Sequence, residues 1–310
     1  MNILITGGAG YIGSVLVPNL LSQGHSVTVI DNFMYKQTSL AASIRDKKLK
    51  LVFGDVRDES LMKQHLAKAD AVIPLAAIVG APACDRDPIS AQSINKDSIL
   101  WLLKYLSSSQ RIIMPTTNSA YGSGGENNFC DENSPLNPLS LYARDKVTVE
   151  KALMELSNAT SFRLATVFGI SPRMRLDLLV NNFTYRAITD GFVVVFEGHF
   201  KRNYVHVLDV IQAFNLALDS EKDFKGEIFN VGLTQANISK IDLCREIQLI
   251  IPSFTYLEAP MGKDPDQRNY IVSNQKIERL GFKPEVTLQS GLRELVKGLE
   301  MFNHKPFTNL

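Results

Sequence analysis

Cysteine is scarce: Cys84, Cys130 and Cys244 are the only three among 310 residues. Their number is odd and their spacing wide, which excludes a disulfide framework and the close pairs that bind zinc. We expect three small buried thiols, no metal site, and a chain suited to a reducing cytoplasm. Long apolar runs are also absent. No stretch of about 18 or more consecutive apolar residues occurs, so no membrane-spanning helix is expected. The opening Met1-Asn2-Ile3-Leu4-Ile5-Thr6 enters a strand at once, without the basic and apolar regions of a signal peptide. Neither sign of charge dominates, with 33 Lys and Arg against 32 Asp and Glu for a net charge of +1. That balance removes the electrostatic case for nucleic acid or a membrane surface as partner. Repeats and low-complexity segments are missing too.

What is present is a core-forming chain, 45% hydrophobic, whose first half alternates apolar runs with helical patterns. Strands are predicted over 3–6, 26–31, 49–54, 71–75, 111–115 and 161–167, and helices over 12–22, 89–107 and 141–156. Uninterrupted apolar strands between helices imply a parallel sheet covered on both faces. Beyond Gly169 the pattern loosens into a smaller mixed unit, with a helix over 204–218 and a strand over 228–231 expected to return to the large sheet. The polar loop 122–137 is expected to form a wall of a substrate site.

Thr6-Gly7-Gly8-Ala9-Gly10-Tyr11-Ile12-Gly13 joins the first strand to the first helix. Glycines there allow a tight turn and close approach of the backbone to a pyrophosphate, and the helix start offers unpaired amides. The spacing is Gly-x-x-Gly-x-x-Gly, and a simple tight turn is the plain alternative. Asp31, with Asn32 beside it, ends the second strand. A carboxylate there accepts from ribose hydroxyls and repels a 2′-phosphate, so NAD is expected over NADP. Asp55 and Val56, after the third strand, are placed against the adenine. These features give an α/β fold: a Rossmann-type doubly wound parallel sheet over 1–168, with return segments near 204–231. A smaller mixed α/β C-terminal substrate domain follows over 169–310.

Tyr142 and Lys146 lie four apart on a predicted helix and share a face. The spacing alone also describes many surface pairs. A nearby ammonium favours the phenolate, which suits Tyr142 to take a proton from a substrate hydroxyl. Thr117 follows an apolar strand and could bond the same oxygen.

In this order the motifs resemble the extended short-chain dehydrogenase/reductase family, specifically its NAD-dependent nucleotide-sugar epimerases and dehydratases. The resemblance runs from Asn2 to about Pro284, through the glycine turn, Gly54-Asp55-Val56-Arg57, Leu75-Ala76-Ala77, Asn95, Thr117, Tyr142/Lys146 and Arg202-Asn203-Tyr204-Val205-His206. It implies that Tyr142 is the acid/base, that Lys146 holds the nicotinamide ribose, and that Thr117 bonds the reacting hydroxyl. It adds Leu75, Ala76, Ala77 and Asn95 to the cofactor contacts, which also include Gly7, Gly10, Tyr11, Ile12 and Gly13. On the substrate side it implies Arg202 at the diphosphate, Asn181 and Arg268 at the nucleotide half, and Asn118 among the substrate contacts. Family dehydratases carry an Asp-Glu pair after the Thr. Asn118 and Ser119 stand there instead, which argues against 4,6-dehydration. A narrower resemblance, through 73–82 and 162–177, is to the subgroup of GDP-manno-heptose 4-dehydrogenases and adds Arg173 and Arg175 to the sugar or diphosphate contacts. The implied reaction is oxidation of the 4-hydroxyl of a nucleotide-linked sugar, GDP-linked by preference, with an external hydride acceptor such as a small keto acid. The alternatives are a 4-epimerase and, more remotely, a non-catalytic NAD-binding sensor. Family members pair two helices in a homodimer, here expected through 89–107 and 141–156.

Overall fold

Apolar runs flanked by helices become strands buried on both faces. A computed structural model describes residues 1–123, 129–260, 262 and 268–302. Of the loop expected over 122–137, residues 124–128 lie outside the described residues. Seven strands form one parallel sheet: β1 (Asn2–Thr6), β2 (Ser26–Asp31), β3 (Leu49–Phe53), β4 (Ala71–Pro74), β5 (Arg111–Thr117), β6 (Ala159–Leu164) and β7 (Glu227–Val231). Their order is β7-β6-β5-β4-β1-β2-β3. All of β4, β5 and β6 is buried. The apolar residues of the sheet feed one core on each face, one centred on Leu16, Phe162 and Phe214, the other on Leu102, Met114 and Leu153.

The chain builds outward from β1 to β3 on one side and from β4 to β7 on the other. The reversal between β1 and β4 leaves a crevice at the carboxyl ends of the strands, where ligands of such sheets bind. Gly7, Asp31, Leu75 and Thr117 all stand at those ends. Three features depart from the sequence expectation. The helix expected over 89–107 is a succession, Pro88–Gln92, a π turn Ser93–Asp97, and Ser98–Tyr105. The helix expected over 204–218 begins at Val207, because Tyr204, Val205 and His206 pair with Thr166, Val167 and Phe168 in a separate three-stranded sheet. The strand expected over 161–167 splits at Ala165, its second part, Thr166–Phe168, joining that smaller sheet.

A third core, with Phe168, Leu243 and Leu292, lies in the C-terminal half. All three cysteines are buried. No helix among the described residues is long and apolar enough to cross a membrane. The side chains expected at a dimer contact are largely spent inside the chain: Leu102, Val149 and Leu153 are at most 1% exposed. Ile89, in the same 89–107 stretch, is 82% exposed.

Candidate active site

The glycine turn is built around close backbone contact. Gly7 takes φ +68°, and a Cβ on it would lie 2.5 Å from the Ala76 nitrogen. Only glycine fits that conformation against β4's exit without displacing the neighbouring backbone. Helix Gly13–Ser22 starts at Ile12 with no side-chain cap, so no side chain competes with an anion there, although the Ser14 and Val15 amides already donate to the Gly10 and Ile12 carbonyls. These residues fit a dinucleotide. Gly7, Gly10, Asp31, Asn32, Asp55 and Val56 line one groove, closed on its other side by Leu75, Ala76 and Ala77.

Asp31 fixes the turn as well as facing the groove. Its Oδ2 accepts from the Ala9 amide at 3.0 Å, and its Oδ1 from the Phe33 amide at 2.8 Å and from Gln37 Nε2 at 3.3 Å. Oδ2 keeps a lone pair for a ribose hydroxyl. NADP is expected to bind at least about tenfold more weakly than NAD, a difference of about 1.4 kcal/mol, measurable by calorimetric titration of both. Equal affinities would remove Asp31 from cofactor choice. Asp55 is held well below the usual carboxylate range, chiefly by Arg57, whose guanidinium reaches it at 2.6 Å.

Two asparagines depart from expectation. Asn95, in the π turn, is fully buried, accepting from the Ile78 amide and donating to the Ile78 carbonyl, both at 2.8 Å. It shapes the loop after β4 and does not present its amide to the cofactor. Asn181 is also fully buried. It accepts from the Gly169 amide at 3.1 Å and donates to Tyr11 Oη and the Arg175 carbonyl. It is a clamp on segment 169–175. Tyr11 is likewise turned to that segment, its hydroxyl donating to the Gly169 carbonyl at 2.7 Å. Burial pushes its pKa up, so it stays a neutral donor.

Thr117 ends β5 with its hydroxyl donating to Ser119 Oγ at 2.8 Å. Arg268 donates to the same Ser119 hydroxyl. Tyr142 and Lys146 project from helix Leu141–Leu153, whose Ser140 cap accepts from the Ala143 amide. Lys146 Nζ lies 5.9 Å from the Tyr142 ring centroid and donates to the Pro115 carbonyl of β5 at 3.2 Å. The phenol, the ammonium and the end of β5 are therefore brought together at the carboxyl edge of the sheet. Burial pushes the Tyr142 pKa up to about 12, Arg175 and Arg268 pull it down, and the Cys84 thiol adds to the rise. The expected lowering by Lys146 is not found in the ligand-free protein, because desolvation of the phenolate outweighs the attraction of nearby cations.

Burial likewise pushes Lys146 down to about 8, against smaller raising effects of Cys84 and Asp145. The unfolded lysine titrates near 10.4. Below about pH 8 both states carry the proton and the full cost of burying the charge is present. Between about 8 and 10.4 the unfolded state holds more protons, so stability rises with pH. Ligand-free Lys146→Met is expected to be more stable than wild type at pH 7 by about 2 kcal/mol, the advantage vanishing by about pH 10. Urea unfolding across that range checks it, and an advantage constant with pH would exclude Lys146 as its source.

The arginines divide. Arg175 reaches Asp177 and acts on the Tyr142 pKa, so it faces the catalytic end. Arg202 is 2% exposed, donates to the Lys201 carbonyl, and has its guanidinium carbon 5.9 Å from the Tyr270 ring centroid. Arg268 lies between Ser119 and Tyr270. Arg173 instead lies over Tyr35, at the opposite lip of the dinucleotide groove. Asn118 is 1% exposed, and both polar atoms of its side chain lack a partner among the described residues. Sequence reasoning missed Ser119 as a bonded member of the site. Its place two residues after Thr117, in the turn ending an apolar strand, was the available signal.

Residues 3–232 match the model of the NAD dependent epimerase/dehydratase family. UDP-glucose 4-epimerase of Lactobacillus helveticus is 29% identical over 312 residues, covering 92% of each chain. The solved UDP-glucose 4-epimerase of Thermotoga maritima is 27% identical, with a TM-score of 0.85 and coverage of 98% of this chain and all of the other. The dTDP-glucose 4,6-dehydratase of Streptomyces venezuelae, solved with NAD bound, is 25% identical with a TM-score of 0.82 and covers 98% of both. The chain thus belongs to the NAD dependent epimerase/dehydratase family, an extended short-chain dehydrogenase/reductase enzyme with NAD as its cofactor.

Proposed function

We propose that the protein oxidises the 4-hydroxyl of a nucleotide-linked sugar to a 4-keto sugar, as a 4-dehydrogenase preferring a GDP-linked substrate. The observation that carries this reading is the approach of Tyr142, Lys146 and the Thr117 end of β5 at the carboxyl edge of the sheet. NAD, when bound, supplies the hydride acceptor. Tyr142 Oη removes the proton from the sugar hydroxyl, and Thr117 Oγ1 holds the same oxygen. Lys146, anchored on Pro115, fixes the ribose side and adds positive charge that favours the phenolate. Arg175, Arg202 and Arg268 carry positive charge suited to the substrate diphosphate. Neither Asn118 nor Ser119 can supply the carboxyl chemistry of 4,6-dehydration. If the ketone is released, the cofactor would be left reduced, and an external hydride acceptor, for which a small keto acid serves, would reoxidise it before the next turnover.

A 4-epimerase is the second reading, favoured by the relatives in Lactobacillus helveticus and Thermotoga maritima, both UDP-glucose 4-epimerases. The reading also takes 1–168, with returns near 204–231, as the NAD-binding unit, 169–310 as the sugar-binding unit, and the enzyme as a cytoplasmic homodimer. Light scattering at twice the chain mass supports the dimer, and a monomer removes it. GDP-, UDP-, CDP- and dTDP-sugars are incubated with the enzyme, following reduced-nicotinamide absorbance and sugar products. Lasting reduction with a 4-keto product supports the dehydrogenase. Inverted sugar without net reduction replaces it with the epimerase.

A further inference from the structure

The glycine turn meets a doubly charged pyrophosphate with backbone alone. No Lys or Arg occurs from Thr6 to Ser22, and Arg57 at the groove's far end is bound by Asp55. A further cation comes from elsewhere in the chain. Arg173 has its guanidinium carbon 4.4 Å from the Tyr35 ring centroid, and Tyr35 lines the dinucleotide groove. One guanidinium nitrogen of Arg173 donates to the Met174 carbonyl. Its remaining donors meet no protein acceptor among the described residues.

Both partners are held in place by bonds that lead back to the cofactor turn. Segment 169–173 is fastened to that turn by Tyr11 Oη on the Gly169 carbonyl, by Ser171 Oγ on the Tyr11 carbonyl, each at 2.7 Å, and by the Ser14–Ser171 hydroxyl pair at 2.8 Å. On the other side, Tyr35 lies between Phe33 and Lys36, with φ of 49° and 52°. Non-glycine residues hold that conformation only where the surroundings enforce it. Here the Phe33 amide and Gln37 Nε2 bond Asp31, and the Tyr35 amide bonds Gln37 Oε1 at 3.2 Å. A guanidinium on an aromatic face keeps its planar edge open to a phosphate.

We infer that Arg173 supplies the counter-charge for the NAD pyrophosphate, and that Arg173 and Tyr35 together form a strap across the groove that retains the cofactor. Arg173 then belongs to the cofactor and not to the sugar or its diphosphate. The strap joins the C-terminal segment to the adenosine-side loop, so it slows NAD release without touching the reacting carbon.

Exchange of labelled NAD from the loaded enzyme tests this, with calorimetric titration of ADP, adenosine and GDP. In Arg173→Ala, NAD is expected to leave about 10 to 100 times faster, the scale of losing a hydrogen bond to a charged group. ADP affinity falls by a similar factor, while adenosine and GDP affinities stay unchanged. Arg173→Lys restores part of the ADP affinity, and the Arg173→Ala defect shrinks as salt rises. Equal weakening of ADP and adenosine would mean that Arg173 only shapes the loop, overturning the inference. So would unchanged NAD retention with weakened GDP binding, which would return Arg173 to the substrate. Neither outcome bears on the Tyr142 chemistry.

Discussion

Tyr142→Phe is expected to lower kcat by about 100- to 10,000-fold on whichever sugar nucleotide turns over, the usual range for loss of an acid/base group. Removing one oxygen leaves the ring, so NAD and substrate dissociation constants should stay within about threefold, a change of less than 1 kcal/mol. The size of the effect follows from the phenol's surroundings. Burial pushes its pKa up to about 12, so at neutral pH the phenol is neutral. Acting as a base requires added positive charge, which Lys146, Arg175 and Arg268 are placed to reinforce. A phenylalanine offers nothing to receive the hydroxyl proton, and the neutral Thr117 hydroxyl is too weak a base to replace it. Single-turnover kinetics separates this chemical loss from binding. Activity within about threefold of wild type would remove Tyr142 from the acid/base role.

The sheet was legible because its strands are apolar runs with helices between them, a pattern that burial on both faces dictates. Periodicity misled at Tyr204–His206, where three residues that extend a helical pattern are claimed by a strand partner at Thr166–Phe168. Periodicity also could not reveal the π turn at Ser93–Asp97. The shift in register there turns Asn95 onto the Ile78 backbone, a contact 17 residues away in sequence. Motif matching located the groove through Gly7 and Asp31, since both act by local backbone geometry. It did not reveal the contacts of Asn95 with Ile78, of Asn181 with Gly169 or of Arg173 with Tyr35, because a motif gives a residue's place in the chain and not the direction of its side chain. The polar pair Glu150 and Arg163 was invisible for a different reason. Charged residues read as surface, and only the tertiary fold shows that both are buried.

That pair carries the largest expected loss of stability. Arg163 Nη2 reaches Glu150 Oε1 at 2.7 Å and Nε lies 3.0 Å from the same oxygen, while Nη1 donates to Tyr121 Oη at 2.9 Å. Glu150 Oε2 also accepts from Thr116 Oγ1 at 2.9 Å and Ser161 Oγ at 2.7 Å. Both ions are almost wholly buried. Arg163→Met should destabilise by about 3–5 kcal/mol, because it leaves a carboxylate in the core without its cation. Most of that loss would be the stranded charge and not the worth of the pair. Arg163→Met combined with Glu150→Leu should therefore cost less than Arg163→Met alone. Urea unfolding of the two variants measures the difference, and a double variant as unstable as the sum of both single ones would refute the account. The effect should reach the active site. Glu150 lies one helical turn beyond Lys146, and its Thr116 partner sits between Pro115, which holds Lys146, and Thr117. The buried pair thus fastens the Tyr142 helix to the end of β5. Loosening it is expected to lower kcat in proportion to the lost alignment of phenol, ammonium and hydroxyl, even in protein that remains folded.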